Sequence, residues 1–277
     1  MPRHIVCLSF DFDAWSGFAA RGMLTPTPIS RGEFGAVAAS RILDLLGRWG
    51  IKSSWFIPGV VIETYRAICE RIVAEGHEIG HHGWSHVAPA NMTPDREAEE
   101  FDRAVGAIQL LTGRKPNGYR SPSWDLSHQS IDLMLQHGIR YDSSMMGHDC
   151  EPYYVRRATK VEADRPIRFG PQTDLVEMPI SWSLDDYPHF EYSTAGSGLS
   201  NANAVLDNWV TDFEYMRQTV EWGALIYTFH PFVIGRGHRM TVLTKLIETL
   251  KSAGAVFITV DEVHQEFRQR QPRDIAL

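Results

Sequence analysis

The feature that most constrains the fold of this chain is a regular alternation of short apolar runs with longer helical patterns. The strong apolar runs are residues 5–10, 51–57, 139–143, 175–182, 225–230 and 256–260, and weaker ones are 77–80 and 118–120. Helical periodicity covers residues 37–49, 63–75, 94–111, 131–137, 204–222 and 240–253. This alternation predicts repeated βα units, which in turn predict an α/β protein with a parallel sheet.

Glycine separates several helical patterns from the apolar runs that follow them. Five glycines hold this position: Gly50, Gly76, Gly138, Gly223 and Gly254. Glycine can end a helix in the left-handed conformation without a steric penalty, so the chain can turn directly into a strand. We expect one domain over residues 1–277, because no repeat or linker divides the chain. A closed (β/α) barrel is favoured over an open doubly wound sheet, since no glycine-rich phosphate loop follows the first strand.

Charge and composition limit the partners of the protein. The formal net charge is −7 and no basic cluster offsets it, which argues against a nucleic-acid partner. The three cysteines, Cys7, Cys69 and Cys150, are far apart and odd in number, as is typical of a reducing compartment. No apolar stretch is long enough for a signal peptide or a membrane span. We therefore expect a cytoplasmic protein without a membrane partner.

An acidic pair follows the first predicted strand. Asp11 and Asp13 lie in the sequence Ser-Phe-Asp-Phe-Asp at residues 9–13. Residues two apart on an extended chain point to the same side, and the carboxyl ends of barrel strands carry the active site. One of the two acids could instead cap a turn. We expect the two carboxylates to converge on a functional site.

A histidine cluster follows at residues 77–86. His82 and His86 are four residues apart, and glycine between them favours a loop over a long helix. One carboxylate and two imidazoles suit a divalent transition metal and leave positions open for water and substrate. A second carboxylate nearby could serve as general base, so the residues predict a metal-dependent hydrolase. We expect His77 and His81 to be structural.

Two further residues stand where predicted strands end. Arg120 precedes Ser-Pro, which favours an extended path, and its guanidinium could hold a carboxylate ionised and oriented. His230 ends the buried run 225–230 and could donate a proton to a leaving nitrogen near neutral pH. A surface arginine and a structural histidine are the alternative interpretations.

Taken in order, these motifs resemble the polysaccharide deacetylases with NodB homology, carbohydrate esterase family 4. The matching segments are Ser-Phe-Asp-Phe-Asp at 9–13, His-Gly-Trp-Ser-His at 82–86, Arg-Ser-Pro-Ser-Trp at 120–124 and His-Pro at 230–231. The resemblance covers nearly the whole chain. It implies a distorted (β/α) barrel with seven to eight parallel strands, and a divalent metal that is most often zinc.

The resemblance also implies roles for individual residues. The metal ligands would be Asp13, His82 and His86. Asp11 would be the general base, oriented by Arg120, and His230 would be the general acid. The carboxylate that pairs with this histidine would be Asp185 or Asp186. Asp142 is the alternative for that pairing.

The first motif departs from the usual family pattern, because Phe12 separates two aspartates that are normally adjacent and Ala14 replaces a glycine. With Trp-Ser-Leu-Asp-Asp-Tyr at 182–187, this variant resembles an atypical branch. That branch contains the Helicobacter-type peptidoglycan deacetylase, the PuuE-type allantoinase and bacterial cyclic imide hydrolases. Allantoinases of that type lack the second histidine, so His86 argues for metal dependence. Members of the branch tend to form tetramers, which implies a homo-oligomer.

The expected reaction is hydrolysis of a carbon–nitrogen bond other than a peptide bond. N-deacetylation of a sugar is the first prediction, and ring opening of a cytosolic cyclic imide or ureide is the alternative. A metal-containing carbohydrate-binding protein without activity is an alternative of another class. Structural zinc sites usually have four protein ligands, however, and only three are found here. Residues 147–170 are the least regular segment and are expected to be an insertion or a lid.

Overall fold

The computed structural model describes residues 2–192 and 198–272, which form a nine-stranded sheet surrounded by helices. The strands are β1 (Arg3–Asp11), β2 (Ser54–Ile57), β3 (Glu78–His81), β4 (Gly118–Tyr119), β5 (Tyr141–Asp142), β6 (Tyr153–Arg156), β7 (Gln172–Glu177), β8 (Trp222–Phe229) and β9 (Val256–Phe257). Each of the eight predicted runs overlaps a strand. The strand β6 was not predicted.

The sheet curls into an incomplete barrel. Its strand order is β6-β7-β5-β4-β3-β2-β1-β8, and β9 pairs with β1 beside β2. Every pairing is parallel except that of β6 with β7. Between β7 and β8 the described residues contain a single parallel bridge, from Asp185 to Thr228. Eight parallel strands with one weakly paired seam confirm the predicted distorted (β/α) barrel.

Helices cover the outside of the sheet and cross its carboxyl end. They are α1 (Ser16–Ala19), α2 (Pro26–Trp49), α3 (Gly59–Thr64), α4 (Arg66–Ala74), α5 (Pro94–Thr112), α6 (Ser130–His137), α7 (Asp186–Phe190), α8 (Ala202–Thr219), α9 (Pro231–Ile234), α10 (Gly237–Ser252) and α11 (Val260–Arg270). Short 3-10 turns occur at Pro89–Asn91, Pro122–Trp124 and Trp182–Leu184. None of the described helices is long and apolar enough to cross a membrane.

The strand β1 is the centre of the hydrophobic core. It pairs with β8 along residues 3–10, and its apolar side chains are buried on both faces. Phe10 stacks on Trp55 with ring centroids 4.7 Å apart, and Trp209 meets Phe229 edge-on at 5.5 Å. Full burial of a side chain of this size stabilises a fold by about 2–3 kcal/mol. The aromatic packing therefore holds the carboxyl end of β1 in a defined position.

Two predicted helices differ in extent from the observed ones. The helix α2 begins at Pro26, eleven positions before the predicted start, because prolines are compatible with a first helical turn. The predicted helix 63–75 is two helices, since Tyr65 leaves the helical conformation with φ −117° and ψ 44°. A helical pattern marks the buried face of a helix but not its ends.

The prediction of a helix-ending glycine is wrong at Gly223. Glycines 50, 76, 138 and 254 have positive φ, as predicted, but Gly223 lies inside β8. The preceding helix α8 ends instead at Thr219, and the next residue, Val220, is extended. At Gly223 a Cβ would lie 3.1 Å from Met216 Sδ and 3.2 Å from the Cys150 carbonyl oxygen. Close packing, rather than left-handed backbone, explains this glycine.

The segment 147–170 extends the edge of the sheet. It contains β6, which runs antiparallel to β7, and Lys160 and Arg168 form an antiparallel bridge beyond it. It is therefore an inserted strand and hairpin.

Candidate active site

The loops at the carboxyl end of the barrel bring the predicted site residues together. Asp11 is the last residue of β1, and Asp13 follows it. His82 follows β3, Arg120 follows β4, and His230 follows β8. Since these strands are parallel, all of their carboxyl ends lie at the same end of the barrel.

Asp13, His82 and His86 form a compact group of candidate ligand atoms, called the ligand group below. Asp13 Oδ1 lies 3.3 Å from His82 Nε2, and Asp13 Oδ2 lies 3.1 Å from His86 Nε2. The histidines lie on a loop, as predicted, and the loop is curled by left-handed backbone at Gly83 (φ 69°) and His86 (φ 64°). His81 supports this loop, because its Nδ1 accepts a hydrogen bond from the Gly83 N–H at 3.1 Å. The structural role predicted for His81 is consistent with this contact.

A hydrogen bond fixes which ring nitrogen of His82 faces Asp13. Its Nδ1–H donates to the Arg120 carbonyl oxygen at 2.7 Å, so Nε2 is the nitrogen that lies towards Asp13. Asp13 Oδ1 is buried and receives no hydrogen bond from the described residues. Burial alone would raise the pKa of Asp13, but the two imidazoles hold it well below its usual value. A bound cation would satisfy this orphaned oxygen, so the three residues fit a metal ion.

A second carboxylate, Asp11, is held by a buried arginine. Arg120 Nη1 donates to Asp11 Oδ1 at 2.7 Å and to Ser9 Oγ at 2.9 Å. Its Nε donates to the Ser143 carbonyl oxygen at 3.0 Å, and its guanidinium lies 4.2 Å from the centre of the Phe56 ring. A charge-assisted hydrogen bond of this kind fixes the orientation of a buried carboxylate. Asp11 Oδ2 lies 3.9 Å from His82 Nε2, beside the ligand group.

His230 lies beside the Asp13 carboxylate of the ligand group. Its Nε2 is 3.6 Å from Asp13 Oδ2, and its Nδ1 donates to Asp186 Oδ1 at 2.8 Å. Asp185 is farther, at 3.4 Å from Nδ1, and accepts the Tyr187 N–H at the start of α7. Burial alone would lower the pKa of His230, but the charges of the two aspartates raise it well above its usual value. Of the two candidates, Asp186 makes the closer pair.

The alternative partner for this histidine, Asp142, lies elsewhere. It is buried on β5 opposite Glu177 of β7, and its Oδ1 accepts a hydrogen bond from Ser144 at 2.6 Å. It is not among the residues that line the pocket. The structure therefore does not bring Asp142 to His230.

Sequence and structure comparisons identify the family of this chain. The polysaccharide deacetylase family model matches residues 31–141. The peptidoglycan deacetylase of Helicobacter pylori is 34% identical over 286 residues, which cover 97% of this chain and 98% of that protein. The chain belongs to the polysaccharide deacetylase family. The predicted deacetylase-type hydrolase is thereby confirmed at the level of the family.

Solved structures agree with this assignment. A Mycobacterium smegmatis protein, described as a candidate polysaccharide deacetylase, superposes with a TM-score of 0.82 at 26% identity. The superposition covers 100% of this chain and 94% of that one. PuuE allantoinase also superposes with a TM-score of 0.82, at 19% identity, over 98% of this chain and 92% of that one. At this identity the second match shows the shared fold alone.

In this polysaccharide deacetylase family member the site opens into a pocket of about 540 Å³. Its apolar wall includes Trp124 and Trp182, which stack with ring centroids 4.1 Å apart. Trp124 has a left-handed backbone (φ 56°), which is rare outside glycine and marks a constrained turn. A pocket of this volume matches a small-molecule ligand. Among the described residues, none that lines the pocket belongs to 147–170.

Sequence reasoning missed the residues that support the site from within the barrel. Ser9 and Ser143 hold Arg120, and Phe56 packs against its guanidinium. Their serine and phenylalanine side chains carry no signal that separates them from ordinary core residues. The pocket residues Arg21 and Tyr187 were also missed, because they are 166 positions apart and meet only in the fold.

Proposed function

We propose that this protein is a metal-dependent hydrolase that cleaves an amide bond other than a peptide bond, with N-acetyl groups of sugars as the first substrate class. One observation carries the proposal. Asp11 and His230 both lie beside the three-residue ligand group, Asp11 Oδ2 at 3.9 Å from His82 Nε2 and His230 Nε2 at 3.6 Å from Asp13 Oδ2. A base and an acid in these positions could act on the two ends of one reacting amide.

The metal would be held by Asp13, His82 and His86. Nitrogen and oxygen ligands in this number suit zinc at a catalytic site, where positions remain open. When bound, the ion supplies polarisation of the substrate carbonyl and acidification of a water molecule. The chain contributes a fixed imidazole tautomer at His82 and an unsatisfied carboxylate oxygen at Asp13.

Asp11 would take the proton from the attacking water. Its Oδ1 is occupied by Arg120, and Oδ2 faces His82 and remains available as a proton acceptor. The guanidinium holds this almost fully buried carboxylate in a fixed orientation. Arg120 is thus a positioning residue that acts through Asp11.

His230 would give a proton to the departing nitrogen. Asp186 accepts both the His230 backbone N–H at 3.0 Å and the Nδ1–H at 2.8 Å, so the ring presents Nε2 to the pocket. The raised pKa of His230 keeps it protonated near neutral pH. This arrangement suits a general acid.

The runner-up reaction is ring opening of a cyclic imide or ureide. It needs the same base, acid and ligand group, because the bond cleaved is again a carbon–nitrogen amide bond. The pocket of about 540 Å³ has room for a small ring or for a sugar of one or two units. The family assignment favours N-deacetylation.

The test separates metal binding from proton transfer. Zinc content and hydrolysis are measured for the wild type, Asp11→Asn and His82→Ala, using N-acetylglucosamine oligomers and a simple cyclic imide. We expect Asp11→Asn to retain zinc but lose about 10²–10⁴-fold in kcat, because it cannot accept a proton. We expect His82→Ala to lose both zinc and activity.

The outcomes distinguish the alternatives. Acetate release supports the first substrate class, and ring opening without acetate release supports the runner-up. Full activity in Asp11→Asn would refute its role as base, and unchanged zinc in His82→Ala would refute the ligand set. A metal-containing binding protein would hold zinc and hydrolyse neither compound.

A further inference from the structure

One charged side chain in the pocket lacks an opposite charge. The aspartates and histidines of the site pair with one another or with Arg120, and Arg96 pairs with Glu100 at 2.9 Å. Arg21 also lines the pocket, but it forms no ion pair with any described residue. Its charge is therefore available to a ligand.

Arg21 is held in place despite its exposure to solvent. Its Nε donates to the Gly17 carbonyl oxygen at 2.9 Å, and its Nη1 donates to Tyr187 Oη at 2.7 Å. The guanidinium also lies 5.2 Å from the Phe18 ring centre and 5.8 Å from that of Tyr187. Contacts with two aromatic rings restrict a cation that would otherwise be mobile.

The anchors of Arg21 lie against the catalytic groups. A Cβ placed on Gly17 would be 3.6 Å from the His86 ring and 3.8 Å from Asp13 Cβ, so this glycine touches the ligand group. The Tyr187 ring centre is 5.4 Å from that of His230. Arg21 therefore belongs to the pocket wall that joins the ligand group to the general acid.

Arg21 and Tyr187 each have a hydrogen-bond donor that is not used within the described residues. The Nη2 nitrogen of Arg21 makes no hydrogen bond to the described residues. Tyr187 Oη accepts a hydrogen bond from Arg21, and its own hydrogen has no acceptor among those residues. A guanidinium and a hydroxyl that both donate into a pocket match the oxygens of an anion.

We propose that Arg21 and Tyr187 bind an anionic group of the substrate, and that the preferred substrate is an amide that also carries a carboxylate. This inference rests on the proposed function, because it assigns a substrate class to the same pocket. A carboxylate fits better than a phosphate. One guanidinium balances a single negative charge, whereas a phosphate monoester carries nearly two near neutral pH.

The test compares substrates that differ only in this charge. One pair is N-acetylmuramic acid and its methyl ester, and the other is hydantoin-5-acetic acid and its methyl ester. We expect the wild type to prefer the acid of at least one pair by about tenfold or more in kcat/KM, the effect of one charge-assisted hydrogen bond. Arg21→Gln should bring the acid-to-ester ratio close to one, and Arg21→Lys should restore part of it.

A matched control is Arg48→Gln. Arg48 is an exposed arginine at the end of α2 and is not among the residues that line the pocket. Arg48→Gln changes the net charge by the same amount as Arg21→Gln. It should leave the acid-to-ester ratio of kcat/KM as it is in the wild type. Equal hydrolysis of acid and ester by the wild type in both pairs would overturn the proposal. A ratio that is the same in Arg21→Gln and the wild type would also overturn it.

Binding separates this inference from the proposed function. Calorimetric affinities of the acids and esters are measured for the zinc-loaded wild type and Arg21→Gln. Tighter binding of an acid that is lost in Arg21→Gln supports the anion site, even if no compound is hydrolysed and the proposed function fails. Equal affinity for acid and ester in both pairs would refute the anion site.

Discussion

At the scale of single residues, the site depends on histidines whose second ring nitrogen is already bonded. His82 donates from Nδ1 to a backbone carbonyl oxygen, whereas His230 donates from Nδ1 to the carboxylate of Asp186. The first arrangement fixes the ring with Nε2 towards Asp13, the orientation that a metal ligand would need. The second stabilises a positive ring, as a proton donor requires. The partner of each histidine therefore determines its chemistry.

Asp186→Asn tests this dependence. Removal of the negative charge lowers the pKa of His230, because that carboxylate helps to raise it. A general acid must be protonated, so activity is lost as the pH rises through its pKa. We expect the alkaline limb of the kcat profile to move to lower pH, with kcat lowered about 10–100-fold at neutral pH. The measurement is kcat against pH with zinc saturating.

Asp185→Asn is the companion variant for that experiment. Asp185 lies farther from Nδ1 than Asp186, at 3.4 Å against 2.8 Å, but its charge is the larger of the two contributions that raise the pKa of His230. The alkaline limb should therefore move to lower pH in this variant as well. An alkaline limb at the same pH in Asp186→Asn and the wild type would contradict the role of Asp186.

At the scale of elements, the helix α2 fixes the loop that carries Asp13. Gly32 of α2 packs directly on the backbone of Ala14 and Trp15, and a Cβ there would lie 2.5 Å from Trp15 Cα. Ala14 has a left-handed conformation with φ 47°, immediately after Asp13. Close contact between helix and loop backbone thus supports a strained residue beside the ligand group.

Gly32→Ala should disturb both stability and the site. The added methyl group must displace backbone atoms, and overpacking of this kind typically costs about 1–3 kcal/mol in free energy of unfolding. We expect zinc affinity to fall as well, since the displaced loop carries Asp13. Urea denaturation and zinc titration measure the two effects.

Gly47→Ala in the same helix is the control. Nothing lies within 4 Å of a Cβ at that position, and its backbone is helical. Alanine should raise the free energy of unfolding by about 0.5–1 kcal/mol, through helix propensity alone. Equal effects of the two substitutions would show that the close packing of Gly32 has no consequence.

At the scale of the whole molecule, a buried acid pair joins two strands behind the site. Asp142 of β5 and Glu177 of β7 are directly opposite, and each has one oxygen without a hydrogen-bond donor among the described residues. Burial raises the pKa of Asp142 to about 6 and that of Glu177 well above its usual value. The two carboxyl groups therefore share a proton. The same turn carries Ser143, which holds Arg120.

Glu177→Gln should alter the pH dependence of stability. Because both folded pKa values are raised, the native state holds protons that the unfolded chain releases above about pH 4, and stability falls as pH rises. Glutamine cannot ionise and can donate to Asp142. As the pH rises from 5.5 to 8, we expect the free energy of unfolding of the variant to increase by about 1–2 kcal/mol relative to that of the wild type. Denaturant unfolding measures this difference.

Glu248→Gln is the control for pH effects in general. Glu248 is exposed on α10. The difference in free energy of unfolding between Glu248→Gln and the wild type should not change with pH. A pH-independent difference for Glu177→Gln would mean that the two carboxyl groups do not share a proton.

The sequence by itself predicted the positions of the strands along the chain, the family and the candidate residues of the site. Apolar runs and helix periodicity are local properties, so all eight runs predicted the position of a strand. The motifs at 9–13, 82–86, 120–124 and 230–231 are also local, and their chemistry is visible in residue type. The ends of helices were less predictable, as Gly223 and Tyr65 show, because tertiary packing competes with local preference.

Only the tertiary structure decided which groups meet. Arg120 reaches Asp11 across 109 positions, Asp186 reaches His230 across 44, and Arg21 reaches Tyr187 across 166. Nothing in a local pattern distinguishes Asp186 from Asp185 or Asp142, since all three are acids beside apolar residues. Their environments differ because the parallel strands place their carboxyl ends side by side while burying the residues between them. The fold thus converts separate motifs into one charged and partly buried site.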